Sequence, residues 1–330
     1  MARRTSNKIE PAVLTVTLIT PTVPSGATGE FTADLSQIAS LVNRRFYRQG
    51  LNWAVAGIKI LTPALGNVSV TKLPNTWVMS NAWEKGMRAW LKMNREALQE
   101  TESVRPRFMD YKIFADDVHH SAGFIGNLLP VDAANNAYTA GEWLSSKMIV
   151  PFGPASPGNT AEFEIKAVGP NYNGGATPVV SLIGGYAASR GLPYEIDPNT
   201  PADADDASGS TPENWLAATF NSGTDQASEV IEDNIFENNQ APYPFEGDGT
   251  AIDTMYPGGA NQAPTLEYHD GSIVTTTTIG GTTRLKGGNF PCGLMRFNWN
   301  PTEVTSGIRI ELDLVPGNHR GYLCESMTEM

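Results

Sequence analysis

Hydrophobic and polar positions along the chain alternate in short bursts separated by glycine and proline. Ala12-Val-Leu-Thr-Val-Thr-Leu-Ile19 is rich in β-branched residues and stopped by Pro11 and Pro21, which predicts a strand. After Asp34, apolar residues fall at Leu35, Ile38, Leu41, Val42 and Phe46, one face of a helix that Gly50 would end. Asp34 is placed as its N-cap, with Gln37 three residues on. Strands are predicted from Trp53 to Leu61 and from Val68 to Leu73. A stronger helix follows, with Asn81 and Glu84 in capping-box spacing and Trp83, Met87, Trp90, Leu91 and Leu98 as its buried stripe. Further strands are expected over 107–118, 143–152, 161–168, 178–183, 272–279, 290–299 and 308–315. The last is the clearest, since Ile308-Arg-Ile-Glu-Leu-Asp-Leu314 alternates apolar and charged residues. Short helices are expected after Thr211 and over 226–236.

About ten spaced strands with helices only in the connections argue for an all-β sandwich, and eight main strands plus extras fit a single jelly roll. A doubly wound parallel sheet would need strand–helix–strand order more often than it occurs here. The expected organisation is a short basic arm, residues 1–10, ahead of one domain over 11–330, with an acidic, loop-rich insertion at about 191–283. Thirty-two glycines and 23 prolines in 330 residues fit many turns and few long helices. No internal repeat is evident.

Charge divides the chain sharply. Residues 1–112 hold 15 Lys+Arg against 8 Asp+Glu, whereas residues 191–283 hold sixteen acids and no Lys or Arg. The whole chain carries a formal net charge of −12. If the two regions are segregated in space, one face suits a polyanion and the other suits water. No apolar run approaches the roughly 18 residues of a membrane span, and the charged opening followed by a strand does not read as a signal peptide. Two cysteines, Cys292 and Cys324, are too few for a disulfide framework and are expected as buried thiols.

Chemistry-bearing motifs are sparse. The phosphate-binding loops, the dinucleotide fingerprint, the zinc-protease helix and the nucleophile elbow do not occur. Ser69-Val-Thr-Lys72 has the spacing of a Ser–Lys nucleophile pair, but on a strand that spacing turns the two side chains apart. Asp116-Asp117-Val-His119-His120 is the densest set of metal-ligand types, expected as a solvated strand-end turn. Asp203, Asp205 and Asp206, and Glu246, Asp248 and Asp253, supply oxygens of the kind calcium takes. Neither set has EF-hand spacing, so no cofactor is expected beyond an ion shared between subunits. Thirty-five acids give no ground for choosing a glycosidase pair.

The basic groups say more. Arg3, Arg4 and Lys8 stand ahead of the first strand, where helix or sheet geometry gives them no task. Arg44, Arg45 and Arg48 fall at the expected last turn of the first helix, where cations also complement the dipole. Both sets are candidates for sequence-independent contact with nucleic-acid phosphates. Trp215, Tyr243, Phe245, Met255 and Tyr256, in the acidic stretch, are candidates for contacts between subunits.

The chain resembles capsid proteins of small environmental circular single-stranded DNA viruses. The resemblance is carried by Asp34-Leu-Ser-Gln-Ile-Ala-Ser-Leu-Val-Asn-Arg-Arg-Phe-Tyr-Arg-Gln-Gly50, Gly287-Gly-Asn-Phe-Pro-Cys-Gly-Leu-Met-Arg-Phe297, Leu312-Asp-Leu-Val-Pro-Gly-Asn-His-Arg-Gly-Tyr322 and the terminal Glu325-Ser-Met-Thr-Glu-Met330. It implies a jelly roll, not an enzyme, that assembles with copies of itself into an icosahedral virion shell around nucleic acid, inside a host cell. The arm departs from that pattern: it has three charges where such proteins often carry a long basic tail. The alternatives are a carbohydrate-binding or glycoside-hydrolase jelly roll, and a phage tail or receptor-binding protein.

Overall fold

In a computed structural model, residues 11–99, 103, 109–151, 160–171, 178–188, 265–275 and 282–329 are described. The chain divides into two units: residues 1–185 with 263–330, and residues 186–262. Nearly all of the second lies outside the described residues. So do the N-terminal arm, the helices expected after Thr211 and over 226–236, both acidic clusters and all five candidate contact residues between subunits.

The first unit is an all-β sandwich. One sheet joins β1 (Thr15–Ile19), β11 (Arg309–Leu314), β3 (Leu51–Leu61) and β9 (Thr282–Phe290) in that order. The other joins β2 (Gly29–Asp34), β10 (Leu294–Pro301), β4 (Gly66–Lys72) and β8 (Glu267–Val274). All of these pairings are antiparallel, and four of them are nested: β1 with β11, β2 with β10, β3 with β9 and β4 with β8. The chain is therefore one long hairpin, folded over so that successive segments fall in alternate sheets. Its tip is the connection from β4 to β8, residues 73–266. After β11, β12 (Pro316–Gly317) and β13 (Gly321–Tyr322) form a small turn, and β14 (Cys324–Ser326) pairs with Leu51–Trp53.

The strands form because alternate residues face the core. In β11, Ile310, Leu312 and Leu314 are buried while Arg309, Glu311 and Asp313 look outward. Val16, Leu18, Ile58 and Ile60 from this sheet meet Val68, Val70, Phe297 and Trp299 from the other in one core. Tyr47, Trp53 and Tyr322 close one end of it, with ring centroids 5.4–5.9 Å apart. The Tyr322 hydroxyl donates to the Val13 carbonyl at 2.7 Å and accepts from Asn43 Nδ2, also at 2.7 Å. Tyr322→Phe should therefore cost about 1 kcal/mol of stability, the net worth of a hydrogen bond in a half-buried setting. Denaturant unfolding measures it, and an unchanged midpoint would show that the hydroxyl holds nothing.

Several elements depart from the sequence reading. Helix α1 (Leu35–Asn43) starts at Asp34 as expected, with the carboxylate accepting from Ser36 N and Gln37 N. It ends seven residues before Gly50, because Arg44 takes the left-handed C-cap conformation at φ 54°. Arg45 and Arg48 thus lie beyond the helix, and its last turn holds no base. Helix α2 (Trp77–Ala97) begins before Asn81, with Thr76 as an N-cap that makes no side-chain cap bond. Asn81 and Glu84 are inside the helix and form no capping box. Trp83 is buried, and Met87, Trp90, Leu91 and Leu98 are half-buried.

The strand expected over 107–118 is absent from its described part. Only Phe114 makes a bridge, to Lys166, and α3 (Asp117–Ala122) follows, capped by Asp116. Beyond it lie β5 (Lys147–Pro151), β6 (Thr160–Lys166) and β7 (Val179–Ser181), a three-stranded sheet, then α4 (Leu182–Ala188). Sequence reading missed β2 and β9. In β9 the pair Gly287-Gly288 reads as a loop, yet a Cβ on Gly287 would come within 2.3 Å of the Val55 carbonyl. The glycine is there because β3 passes that closely.

Candidate nucleic-acid interface

Five cations gather where α1 hands over to β3. Arg44 and Arg48 are exposed and Arg45 is partly so, on the loop of residues 44–50. The Arg48 guanidinium lies 5.8 Å from the centre of the Phe46 ring, and Lys112 Nζ lies 5.9 Å from the same centre. Arg320 donates from Nη1 to the Phe46 carbonyl. Lys112 also stands 4.6 Å from the Trp143 ring. Arg48 and Lys112 thus flank one aromatic side chain where three remote segments meet, and Lys112, paired with Asp110 at 3.2 Å, keeps only 12% of its side-chain surface. Lys112 and Arg320 were not found from sequence. Each is a lone base there, and only the fold brings them beside residues 44–48.

The loop is tied down on its inner side. Ser36 Oγ donates to the Arg48 carbonyl, Tyr47 N donates to Ser40 Oγ, and the Tyr47 hydroxyl donates to the Arg320 carbonyl, all within 2.9–3.0 Å. Buried Gln49 donates from Nε2 to Asp34 Oδ2 and the Ile113 carbonyl, and accepts from Ile113 N at 2.7 Å. Arg48 Nε donates to the Met109 carbonyl at 3.1 Å. A surface held this way keeps its cations in place before a ligand arrives, which lowers the ordering cost of binding.

Asp34 is the hub beneath it. Its fully buried carboxylate accepts from four donors: the amides of Ser36 and Gln37, Gln49 Nε2 and Trp143 Nε1. Burial nevertheless pushes its pKa up to about 6. Asp110 is also raised by burial, with Lys112 at 3.2 Å pulling the other way. Asp110 thus faces Lys112 and Arg48 from within the loop's own support.

The Asp116–His120 motif is tied into the fold by hydrogen bonds and ion pairs. His119 is fully enclosed. Its Nδ1 accepts from Ala115 N at 3.0 Å, which leaves Nε2 to donate to Asn127 Oδ1 at 2.9 Å. Asn127 passes the chain on to Gln37 Oε1, and Gln37 to the Ala140 carbonyl. Burial, with Arg296 nearby, lowers the His119 pKa to about 3, so the ring is neutral. His120 pairs with Glu164 at 2.9 Å, and Asp116 with Arg296. Among the described residues, no three of His, Cys, Asp and Glu gather as a metal site. Ser69 and Lys72 are on β4, bonded to Asn298 Nδ2 and the Asn289 carbonyl, not to each other. Cys292 and Cys324 are free thiols, and burial raises both, Cys324 to about 12. Among the described residues, no helix is long and apolar enough to cross a membrane.

The chain matches no protein-family model, no curated protein and no solved structure. The reading of its surface rests on its own geometry.

Proposed function

We propose that this protein is a jelly-roll capsid subunit, which assembles with copies of itself into a closed icosahedral shell around nucleic acid. The observation that carries the proposal is the strand order: β1-β11-β3-β9 facing β2-β10-β4-β8, with nested antiparallel pairs. A long hairpin folded over into two four-stranded sheets is the jelly-roll plan, two Greek keys in one sandwich, and viral shells are among its common users. Lectins share the plan. The arginine surface of Arg44, Arg45, Arg48 and Arg320 beside Phe46 favours a polyanion over a neutral glycan. The setting this implies is a virion, assembled inside a host cell. Arg44, Arg45, Arg48 and Arg320 would meet phosphates on the lumen side without reading bases, with Lys112 held behind them by Asp110, and the arm with Arg3, Arg4 and Lys8 would add to them. The acidic stretch suits the outside or rim, beyond a Debye length of about 8 Å from the genome.

Size-exclusion chromatography with negative-stain microscopy tests assembly: particles of uniform diameter are expected. A protein that stays monomeric across salt, pH and concentration would refute the proposal. For the surface, Arg44, Arg45 and Arg48 are replaced together by glutamine, with deletion of residues 2–8 tested apart. The triple replacement should lower oligonucleotide affinity roughly tenfold at moderate salt and flatten the logarithmic salt slope by about 2, as for three single-strand phosphates. An unchanged slope would remove residues 44–48 from the interface.

A further inference from the structure

We propose that the solvent face of α2 is a second phosphate-binding element, taking the sugar-phosphate backbone of a nucleic acid along the helix. Lys85, Arg88, Lys92 and Arg95 are all exposed, and their spacing of three, four and three residues puts them on one face. At 1.5 Å of rise per residue they form a row about 15 Å long with one cation per turn. The opposite face is packed. Val78, Met79, Ala82 and Trp83 are buried, and the Trp83 and Trp90 rings lie 5.9 and 5.8 Å from Tyr111. The row is therefore presented on a rigid element and not on a loose tail.

Two glutamates share this face. Glu84 pairs with Arg88, and Glu96 lies 3.9 Å from Lys92. Arg88 and Lys92 keep 74% and 80% of their side-chain surface and Glu96 keeps 62%, whereas Glu84 keeps 26%. Exposed pairs of this kind hold each other weakly, so a phosphate can displace either carboxylate. A chain of net charge −12 needs no added bases for solubility, and four of its 23 stand in this one row.

The inference rests on the nucleic-acid reading of the protein, and the experiment separates the two. The probe is a 30-nucleotide oligo(dT), with a duplex of equal length as a second arm, and binding is read across a salt series. Replacing Lys85, Arg88, Lys92 and Arg95 by glutamine should weaken oligo(dT) binding at least tenfold and flatten the slope by 2–3, at roughly 0.7 per single-strand phosphate. The companion variant, Glu84→Gln with Glu96→Gln, should bind several-fold tighter, a gain that misfolding cannot produce. A larger slope change on the duplex than on oligo(dT) would assign the row to double-stranded nucleic acid, within the proposal. Wild-type protein that binds neither probe overturns both readings. Binding that is lost with Arg44, Arg45 and Arg48 but unmoved by both α2 variants overturns this one alone. So does unmoved binding with altered particle assembly, which would assign the row to an acidic surface of another copy.

Discussion

On acidification from neutral pH, the unassembled subunit should hold its stability with a shallow slope to about pH 4, and then weaken. The shallow slope is the difference of two steep ones. Neutral His119 has a folded pKa of about 3 against an ordinary value of 6.5. Below pH 6.5 the unfolded chain takes up a proton that the folded chain refuses, so stability falls with falling pH, by up to about 5 kcal/mol at pH 3. Asp34 acts the other way. Its folded pKa is about 6 against an ordinary 3.8. Between those values the folded chain binds the proton first, so stability rises as pH falls, by up to about 3 kcal/mol. At pH 5 the two come to about −2 and about +1 kcal/mol and largely cancel. Near pH 3.8 Asp34 has contributed nearly all it can, and below that His119 and the carboxylates held low by their hydrogen bonds, Asp132, Asp270 and Asp313, all weaken the folded state.

Asp34→Asn removes one slope and exposes the other. The variant starts lower, because an amide cannot accept from four donors. From pH 6.5 to 5 it should lose about 2 kcal/mol more, where the wild type loses less than 1. His119→Gln should do the reverse and gain stability over the same interval. Urea unfolding at half-unit pH steps reads all three curves. Parallel curves for wild type and Asp34→Asn between pH 4 and 6.5 would show that Asp34 does not titrate there.

The sandwich was legible where one face of a strand is buried and the other wet. Residues 308–315 and 12–19 alternate, and they are β11 and β1. What was hidden has physical causes. In β9 Gly287 lies against the β3 backbone and Gly288 against the His269 ring of β8, and the pair erases the alternation. In α1 the helix stops at Asn43 because Arg44 adopts φ 54°, which an arginine does not announce. Leu41, Val42 and Phe46 keep helical spacing across that break, so periodicity alone runs on. At 117–122 the expected strand-end turn is a helix, because Asp116 acts as an N-cap, accepting from His119 N at 3.0 Å.

The candidate interface was half legible. Arg44, Arg45 and Arg48 are adjacent in sequence, and the structure keeps them together. Lys112 and Arg320 join them only through Gln49, which clamps residues 110–113, and through the Tyr47 hydroxyl bond to the Arg320 carbonyl. Contacts that span hundreds of residues leave no local pattern. The row on α2 stands in the sequence at helical spacing, but bases on a solvated helix face are common in any chain and carry no signature by themselves.

The ion pair of Lys166 and Asp117 should respond very unequally to loss of its two members. The Lys166 side chain is fully buried at the end of β6, whereas Asp117, at the start of α3, keeps 42% of its side-chain surface. Removing the acid strands an ammonium group in the interior, next to Phe114 and Gly169. Breaking a buried pair in this way costs about 3–5 kcal/mol, and the exposure of Asp117 brings that down to about 2–3. Asp117→Ala should therefore lower the melting temperature by about 5–10 °C in a unit of this size. Lys166→Met replaces the buried cation by an apolar chain of similar length, and Asp117 turns to water. That change should stay within about 1 kcal/mol of wild type, or improve on it. The double variant should match Lys166→Met, because Asp117 has nothing left to compensate. Equal losses from Asp117→Ala and Lys166→Met would mean that the charge pair itself, and not the burial of the lysine, holds β6 to α3.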